Sequence, residues 1–212
     1  MKYPLQAKRV LFQGDSITDC GRDRDDPASL GGGYPKRVAD AYNAFCPGSG
    51  TVFINKGISG NRVIDLLARY ETDFLAVKPD ILSILIGIND VWRRYDSNDP
   101  TTLEAFSQNY RELLTRVKRD LPDTKIVIIE PFVLYALPDR HIWREDLDPK
   151  IQAVRLLAEE FADMFIPLDS CFAKLVVEGI PTAELAEDGV HPTDFAHGLI
   201  ARIWLEAVCR QW

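Results

Sequence analysis

The chain carries five short apolar runs that have the length of β-strands. Two of them, ILSILI and IVII, are almost continuously apolar, which is typical of strands buried on both faces in a parallel sheet. The predicted strands are Arg9 to Phe12, Thr51 to Ile54, Ile81 to Ile86, Ile126 to Ile129, and Met164 to Leu168.

Amphipathic stretches of helical length separate these runs. In the third stretch, Leu103, Phe106 and Tyr110 recur at a spacing that places them on one face of a helix. The alternation of strand and helix predicts an α/β fold with right-handed crossovers. The predicted helices are Tyr34 to Phe45, Arg62 to Val77, Thr102 to Leu121, Lys150 to Met164, and Thr193 to Val208.

No internal repeat or low-complexity linker interrupts the pattern, so we expect a single domain over residues 1–212. Two polar, proline-bearing loops, 96–100 and 137–148, are too short to separate domains. We expect the second loop to overhang a site. It contains Arg140, His141, Trp143 and Arg144.

Small and polar residues follow the first three predicted strands, in the segments GDS, NKGISGN and GIND, and EPF follows the fourth. In open α/β sheets, ligands bind at the carboxyl ends of the strands. If the strand order is 2-1-3-4-5, the first three loops are neighbours, and Ser16 lies between Gly60 and Asn89.

The charge balance limits the classes of partner. With 25 Lys and Arg against 32 Asp and Glu, the net charge of −7 argues against a nucleic-acid partner and weakly against anionic membranes. No apolar run approaches the roughly 20 residues that span a bilayer, and the first residues lack the apolar stretch of a signal peptide. The four scattered cysteines indicate free, mostly buried thiols in a reducing compartment. We therefore expect a cytoplasmic protein, and we expect no metal site because no Cys/His cluster has ligand spacing.

Ser16 lies in the segment FQGDSITDCGR, directly after the first predicted strand. On this segment alone, two interpretations are open. Ser16 or Thr18 caps a helix while Asp15 makes a turn, or Ser16 is a nucleophile. A serine nucleophile needs a base within hydrogen-bond reach, and that base needs an orienting group.

Three histidines are candidates for the base. We expect His141 to be a solvent-exposed loop residue and His197, one turn into the last helix, to be a partly buried packing residue. His191 lies in DGVHP, where Asp188 three residues earlier can orient the imidazole. The alternative for this segment is an ordinary turn that leads into a helix.

Acyl transfer also needs donors for the negative charge that develops on the carbonyl oxygen. Gly60 can supply its backbone N–H, Asn89 its side-chain amide, and Ser16 its backbone N–H. Taken alone, Gly60 is equally a turn glycine and Asn89 an Asx-turn residue. Together, at the loops that the chemistry requires, these weak signals favour a serine hydrolase.

The segments GDSIT, ISGN, GIND and DGVHP together resemble the SGNH (GDSL-type) hydrolases over nearly the whole chain. The resemblance implies that Ser16 is the nucleophile, His191 the base and Asp188 the orienting acid. It further implies an oxyanion hole formed by Gly60, Asn89 and the Ser16 amide. Isoleucine stands at the leucine of the four-letter name, an aliphatic exchange with no chemical consequence.

The chain has no GxSxG motif, so the nucleophile elbow of the α/β-hydrolases is absent. The resemblance implies instead a flavodoxin-like, three-layer α/β/α fold with a five-stranded parallel sheet of order 2-1-3-4-5. A narrower resemblance, through GDSITDCGR, NKGISGN and IGINDVWRRYD, is to intracellular bacterial acetylxylan esterases. It implies an O-deacetylase of xylo-oligosaccharides, with an acetylated sugar as substrate, no cofactor, and assembly as a homo-oligomer.

A sugar ester would suit a shallow polar mouth with aromatic platforms. Core packing is the alternative for each aromatic residue near the predicted strand ends. The candidate substrate-binding residues are Asp15, Trp92, Tyr95, Phe132 and Trp143, with Tyr135 as a further aromatic.

Three other functions stay open at this stage. One is a short-chain lipolytic esterase or a thioesterase. Another is a flavodoxin-like protein that cradles a phosphate with GDSIT or with residues 30–33, although the glycines form neither GxGxxG nor GxxxxGK[ST]. The last is a non-catalytic sugar-binding module, against which the complete set of catalytic residue types speaks.

Overall fold

A computed structural model of the protein describes residues 3–210. Its centre is a parallel sheet of five strands in the order β2-β1-β3-β4-β5, with Val10 of β1 paired to Phe53 of β2 and to Ile81 of β3. The predicted strand order is therefore confirmed. The strands are β1 (Arg9–Gly14), β2 (Val52–Asn55), β3 (Ile81–Leu85), β4 (Lys125–Ile129) and β5 (Met164–Ile166).

Helices cover both faces of this sheet. Side chains alternate across β1, so that Val10 and Phe12 join the core beneath one helical layer and Leu11 joins the core beneath the other. This arrangement confirms the three-layer fold. The helices are α1 (Ser16–Asp19), α2 (Tyr34–Phe45), α3 (Val63–Ala68), α4 (Asn89–Asp96), α5 (Leu103–Asp120), α6 (Arg140–Phe161), α7 (Leu168–Val177), α8 (Thr182–Leu185) and α9 (Asp194–Cys209).

The two helical layers are formed by different helices. Helices α2 and α9 pack together on one face, next to α7, while α3, α5 and α6 pack on the other. The last helix, α9, therefore lies against α2.

The predicted loop 137–148 is wrong over most of its length, because α6 begins at Arg140 and runs to Phe161. Trp143, Leu147 and Ile151 are buried at helical spacing, and this burial holds the helix through the interior Pro149.

The predicted helix from Arg62 to Val77 is two elements, α3 and a π-helical turn at Glu71–Leu75. The break follows from Arg69, which caps α3 and turns inwards to donate hydrogen bonds to the Gln13 side chain and the Lys56 carbonyl.

Within residues 3–210, none of the helices combines the length and the apolar character that crossing a bilayer requires.

Candidate active site

The turn after β1 exposes the hydroxyl of Ser16. Asp15 caps α1, since its Oδ1 accepts a hydrogen bond from the Ile17 N–H at 3.0 Å. The segment therefore has a helix cap, as one interpretation of the sequence expected, but Asp15 supplies it. Ser16 is the first residue of the helix, and its hydroxyl is free for another partner.

That partner is His191. Ser16 Oγ lies 2.9 Å from His191 Nε2, and His191 Nδ1 lies 2.7 Å from Asp188 Oδ2. The other oxygen of Asp188 accepts the backbone N–H groups of Val190 and His191 at 2.9 and 2.8 Å. The carboxylate thus fixes the ring through Nδ1, and Nε2 faces the serine, which is the arrangement that a serine nucleophile needs.

The electrostatics of the pair match this arrangement. Burial pushes the pKa of Asp188 up, but the hydrogen bonds from His191 and from the two backbone N–H groups outweigh it, and the pKa lies well below its usual value. The hydrogen bond from Asp188 raises the pKa of His191 despite partial burial. Asp188 therefore stays ionised at neutral pH, in a position where its charge can stabilise an imidazolium at His191.

The proposed oxyanion donors lie at the ends of three neighbouring strands. Ser16 opens α1, and N–H groups in the first turn of a helix lack intrahelical acceptors. Gly60 has φ of +85°, a conformation that favours glycine, and the position that a Cβ atom would occupy is open. Asn89 opens α4, and its Nδ2 donates one hydrogen bond to the Asn61 carbonyl at 3.1 Å. Since an amide NH₂ has two donors, the second remains for a substrate oxygen.

Behind His191 lie the mutually tilted rings of Trp92 and Trp143, with the Arg140 guanidinium over both. The Trp92 ring centroid is 5.6 Å from that of His191, and the Arg140 guanidinium lies 5.5 Å from Trp92 and 3.9 Å from Trp143. Arg140 Nε also donates to the Asp188 carbonyl at 2.7 Å. The sequence interpretation missed this role for Arg140, although the helical spacing of Trp143, Leu147 and Ile151 would have placed Arg140 on α6.

Several predicted substrate contacts need correction. Phe132 is completely buried and packs edge-on against Phe172, and Asp15 is only 1% exposed. Neither has surface for a substrate, because both fill the core beneath the site. Trp143 is also buried. Trp92 and Tyr95 are half-buried and Tyr135 is exposed, so these three of the named aromatic residues retain accessible surface.

Asp15 and Asp90 are buried carboxyl groups next to Ser16 and Asn89 in the sequence. Burial raises the pKa of each to about 7. Each has one oxygen bonded to a backbone N–H, of Ile17 and of Val63 respectively. Two buried carboxyl groups that can bind a proton near neutral pH are therefore next to Ser16 and Asn89.

The other two histidines take the predicted roles. His141 is exposed, although it lies on α6 and not in a loop. His197 is buried, and burial lowers its pKa to about 4. Its Nδ1 accepts the Tyr34 N–H at 3.1 Å, so the ring proton is on Nε2, which faces Cys20 Sγ at 3.4 Å. This histidine joins α9 to the start of α2.

All four cysteines are free and half-buried, so the prediction of mostly buried thiols overstated their burial. Among the residues from 3 to 210, no cluster of three or more His, Cys, Asp or Glu side chains could hold a metal ion.

The profile of the GDSL-like Lipase/Acylhydrolase family matches residues 12–199, a range that includes every residue of the triad described above. The chain belongs to this family. Members hydrolyse esters, and the protein is accordingly a carboxylic ester hydrolase.

Two relatives of this GDSL-family chain cover almost its whole length. An acetylxylan esterase from Geobacillus stearothermophilus is 37% identical over 214 residues, which are 97% of this chain and 95% of that protein. Its crystal structure has a TM-score of 0.86. A structure from Parabacteroides merdae matches with a TM-score of 0.90 at 39% identity, over 96% of each chain.

Three solved variants of the Geobacillus esterase replace a serine, a histidine and an aspartate with alanine, and each is described as a catalytic mutant. In that protein the aspartate precedes the histidine by three residues. Asp188 and His191 have the same spacing here.

Proposed function

We propose that this serine esterase removes acetyl groups from xylo-oligosaccharides. The observation that carries the proposal is the continuous chain of contacts from Ser16 Oγ through His191 to Asp188, at 2.9 and 2.7 Å. The relatives support the choice of substrate, because they include an acetylxylan esterase that is also described as an acetyl-xylooligosaccharide esterase.

In the proposed mechanism, Ser16 Oγ attacks the acetyl carbonyl while His191 Nε2 takes its proton. The Ser16 and Gly60 N–H groups and the Asn89 amide donate to the negative oxygen of the tetrahedral intermediate. The intermediate then collapses and breaks the ester bond, and the sugar hydroxyl leaves with the proton from His191. Water, deprotonated by His191, attacks the acetyl-serine, and acetate and the free enzyme result.

The surroundings of the triad suit a polar alcohol. The depression beside His191 is open, and most of the side chains that line it are polar or charged, so it offers hydrogen-bond partners to a sugar. The half-buried ring of Trp92 lies 5.6 Å from the His191 ring, and Tyr95 is half-buried on the same helix, α4, which supports a role for both as sugar platforms. The lining residues are Glu187, Asp188, His191, Pro192, Thr193 and Asp194.

A panel of esters tests the proposal. We expect turnover of acetylated xylose and xylo-oligosaccharides, and higher kcat/KM for p-nitrophenyl acetate than for the octanoate. Ser16→Ala should remove nearly all turnover and labelling by a serine-directed phosphonate, while the circular dichroism spectrum stays unchanged. Rates that rise with acyl chain length would favour a lipolytic esterase, and an active Ser16→Ala enzyme would contradict the triad.

We also propose that the chain acts as one domain, as a homo-oligomer, in the cytoplasm. The four free cysteines support a reducing compartment, and the resemblance to intracellular acetylxylan esterases supports assembly. Light scattering coupled to size-exclusion chromatography measures the oligomeric state, and fractionation of the native cells measures the location.

A further inference from the structure

Asp19 lies at the end of α1, one turn after Ser16, and its carboxylate is almost completely buried. Its Oδ2 accepts the Ser59 N–H at 2.9 Å, the Ser59 hydroxyl at 2.9 Å and Arg24 Nη2 at 2.8 Å. Its Oδ1 accepts the Arg22 N–H at 3.2 Å. Two of these bonds go to the residue directly before Gly60. One carboxylate therefore joins the helix of the nucleophile to the loop of an oxyanion donor.

The same loop is tied to α1 at its other end. Asn55 Nδ2 donates to the Thr18 carbonyl at 2.7 Å, and its Oδ1 accepts the Gly57 N–H at 2.9 Å. A Cβ atom on Gly57 would lie 2.4 Å from the Asp19 nitrogen, so only glycine permits this approach of the two backbones. Displacing the loop from α1 thus breaks the bonds of Asn55 and Asp19, together with those from Arg22 Nη2 to the Gly57 carbonyl and from the Ile58 N–H to the Gly14 carbonyl.

The Asp19 carboxyl stays ionised in this position. Burial opposes ionisation, but the hydrogen bonds from Arg24 and Ser59 hold the pKa of the Asp19 carboxyl below its usual value. Hydrogen bonds to an ionised acceptor are stronger than those between neutral groups. The carboxylate accordingly restrains the Ser59 backbone more firmly than a neutral side chain would.

Resting on the function proposed above, we propose that Asp19 is a positioning residue that sets the geometry of the oxyanion hole by holding the Gly60 loop against the Ser16 helix. An oxyanion hole whose donors are already in place stabilises the transition state, because no dipole has to rearrange when negative charge develops on the carbonyl oxygen. Loss of Asp19 should therefore lower kcat more than it raises KM, since the ground-state carbonyl carries little of that charge.

The experiment compares Asp19→Ala with a matched control, Asp163→Ala. Asp163 also accepts a backbone N–H, of Ile126 at 2.9 Å, and binds Lys125 and Lys118, but it lies at the opposite edge of the sheet. We expect Asp19→Ala to lose up to roughly 10²-fold in kcat, the scale of a small misplacement of catalytic groups. KM should change by less than about threefold, and Asp163→Ala should lose stability with kcat unchanged.

Two further measurements separate positioning from general stability. Hydrogen exchange of the amides at 57–61 should be faster in Asp19→Ala, while the acid limb of the pH profile of kcat/KM should not move, because the contacts of His191 are untouched. Asp19→Asn should recover part of kcat, since its amide oxygen can still accept from the Ser59 N–H.

A normal kcat in a folded Asp19→Ala enzyme, or an equal loss of kcat in Asp163→Ala, would overturn the inference. The esterase function would still hold in that case, provided that the wild-type protein hydrolyses esters. If Asp19→Ala does not fold, kcat is measured for Asp19→Asn and Ser59→Ala instead. A kcat equal to that of the wild-type enzyme in both variants would overturn the inference. A wild-type protein without turnover on any ester would overturn the proposed function, and this inference with it.

Discussion

Arg140 donates a hydrogen bond from Nε to the backbone carbonyl of Asp188, at 2.7 Å, while its guanidinium lies over the rings of Trp92 and Trp143. The arginine is thus fixed behind the turn that carries both the base and its orienting acid. Its positive charge opposes a charge on His191, whereas Asp188 and the buried Asp15 favour one. Those three groups are the charges that act on the base.

Replacement of Arg140 with glutamine should change the pH dependence of activity. Without the positive charge, the imidazolium of His191 is easier to form, so its pKa rises and the acid limb of kcat/KM moves to higher pH. Arg140→Lys keeps the charge and should leave the limb near its wild-type position, although the lost hydrogen bond lowers stability. A limb that moves to lower pH in Arg140→Gln would contradict this prediction.

In the wild-type enzyme, activity should fall on the acid side as His191 becomes protonated. Because the bond to Asp188 raises the pKa of His191, the midpoint of the limb in kcat/KM should lie above about 6.5, the ordinary value for histidine.

Asp188→Asn should lose roughly 10⁴-fold in kcat, as comparable changes do in Ser-His-Asp enzymes, because an amide cannot stabilise the imidazolium. Asp40→Asn, which changes an exposed carboxyl paired with Lys36 on α2, serves as the control and should retain activity. Full activity of Asp188→Asn would show that another group orients the base.

Loss of the Asn89 side chain should affect the chemical step. Asn89→Ala should lower kcat by about 10²–10³ and leave KM nearly unchanged, because its free amide hydrogen binds the developing oxyanion. The exposed Asn43 on α2 offers a control whose replacement with alanine should change neither constant. A rise in KM alone would make Asn89 a residue of ground-state binding.

Asp15→Asn should stabilise the protein as the pH rises. The folded pKa of Asp15, about 7, exceeds the ordinary value of 3.8, so its contribution to stability is full below pH 3.8 and is lost as the pH rises through 7. Asparagine cannot ionise and still accepts the Ile17 N–H. The Tm of Asp15→Asn minus that of wild type should therefore increase from pH 5 to pH 8.

The control for that prediction is Asp26→Asn. Asp26 accepts the N–H two residues later, as Asp15 does, but it is exposed. Its Tm difference from wild type should stay constant over the same range. A constant difference for Asp15→Asn as well would show that this carboxyl is ionised without cost in the folded protein.

The strands and their order could be predicted because buried parallel strands are nearly continuous apolar runs, as ILSILI is in β3. The start of α6 was missed because charged residues and Pro149 interrupt the segment, although Trp143, Leu147 and Ile151 recur there at helical spacing. The break after α3 depends on Arg69, whose partners Gln13 and Lys56 lie far away in the sequence. No local pattern contains that information.

In the candidate site, too, some features could be predicted from local sequence patterns and others depend on distant contacts. Residues in local motifs, such as Ser16 and His191, were identified from their segments, and their contact at 2.9 Å agrees with that assignment. Exposure was harder to predict, since the motif that contains Asp15 does not show that it faces the core. Asp19 gave no signal at all, because its role depends on a loop 40 positions away.

The separation of Ser16 and His191 by 175 positions has a consequence for the life of the protein in a cell. The nucleophile leaves the ribosome early, followed by Gly60 and Asn89, but the base is synthesised long afterwards. A nascent or prematurely terminated chain that stops before residue 188 contains a serine that nothing can deprotonate. In the proposed mechanism, unfinished copies are therefore inert towards the esters around them, and hydrolysis begins only after translation has passed His191 and α9 has docked.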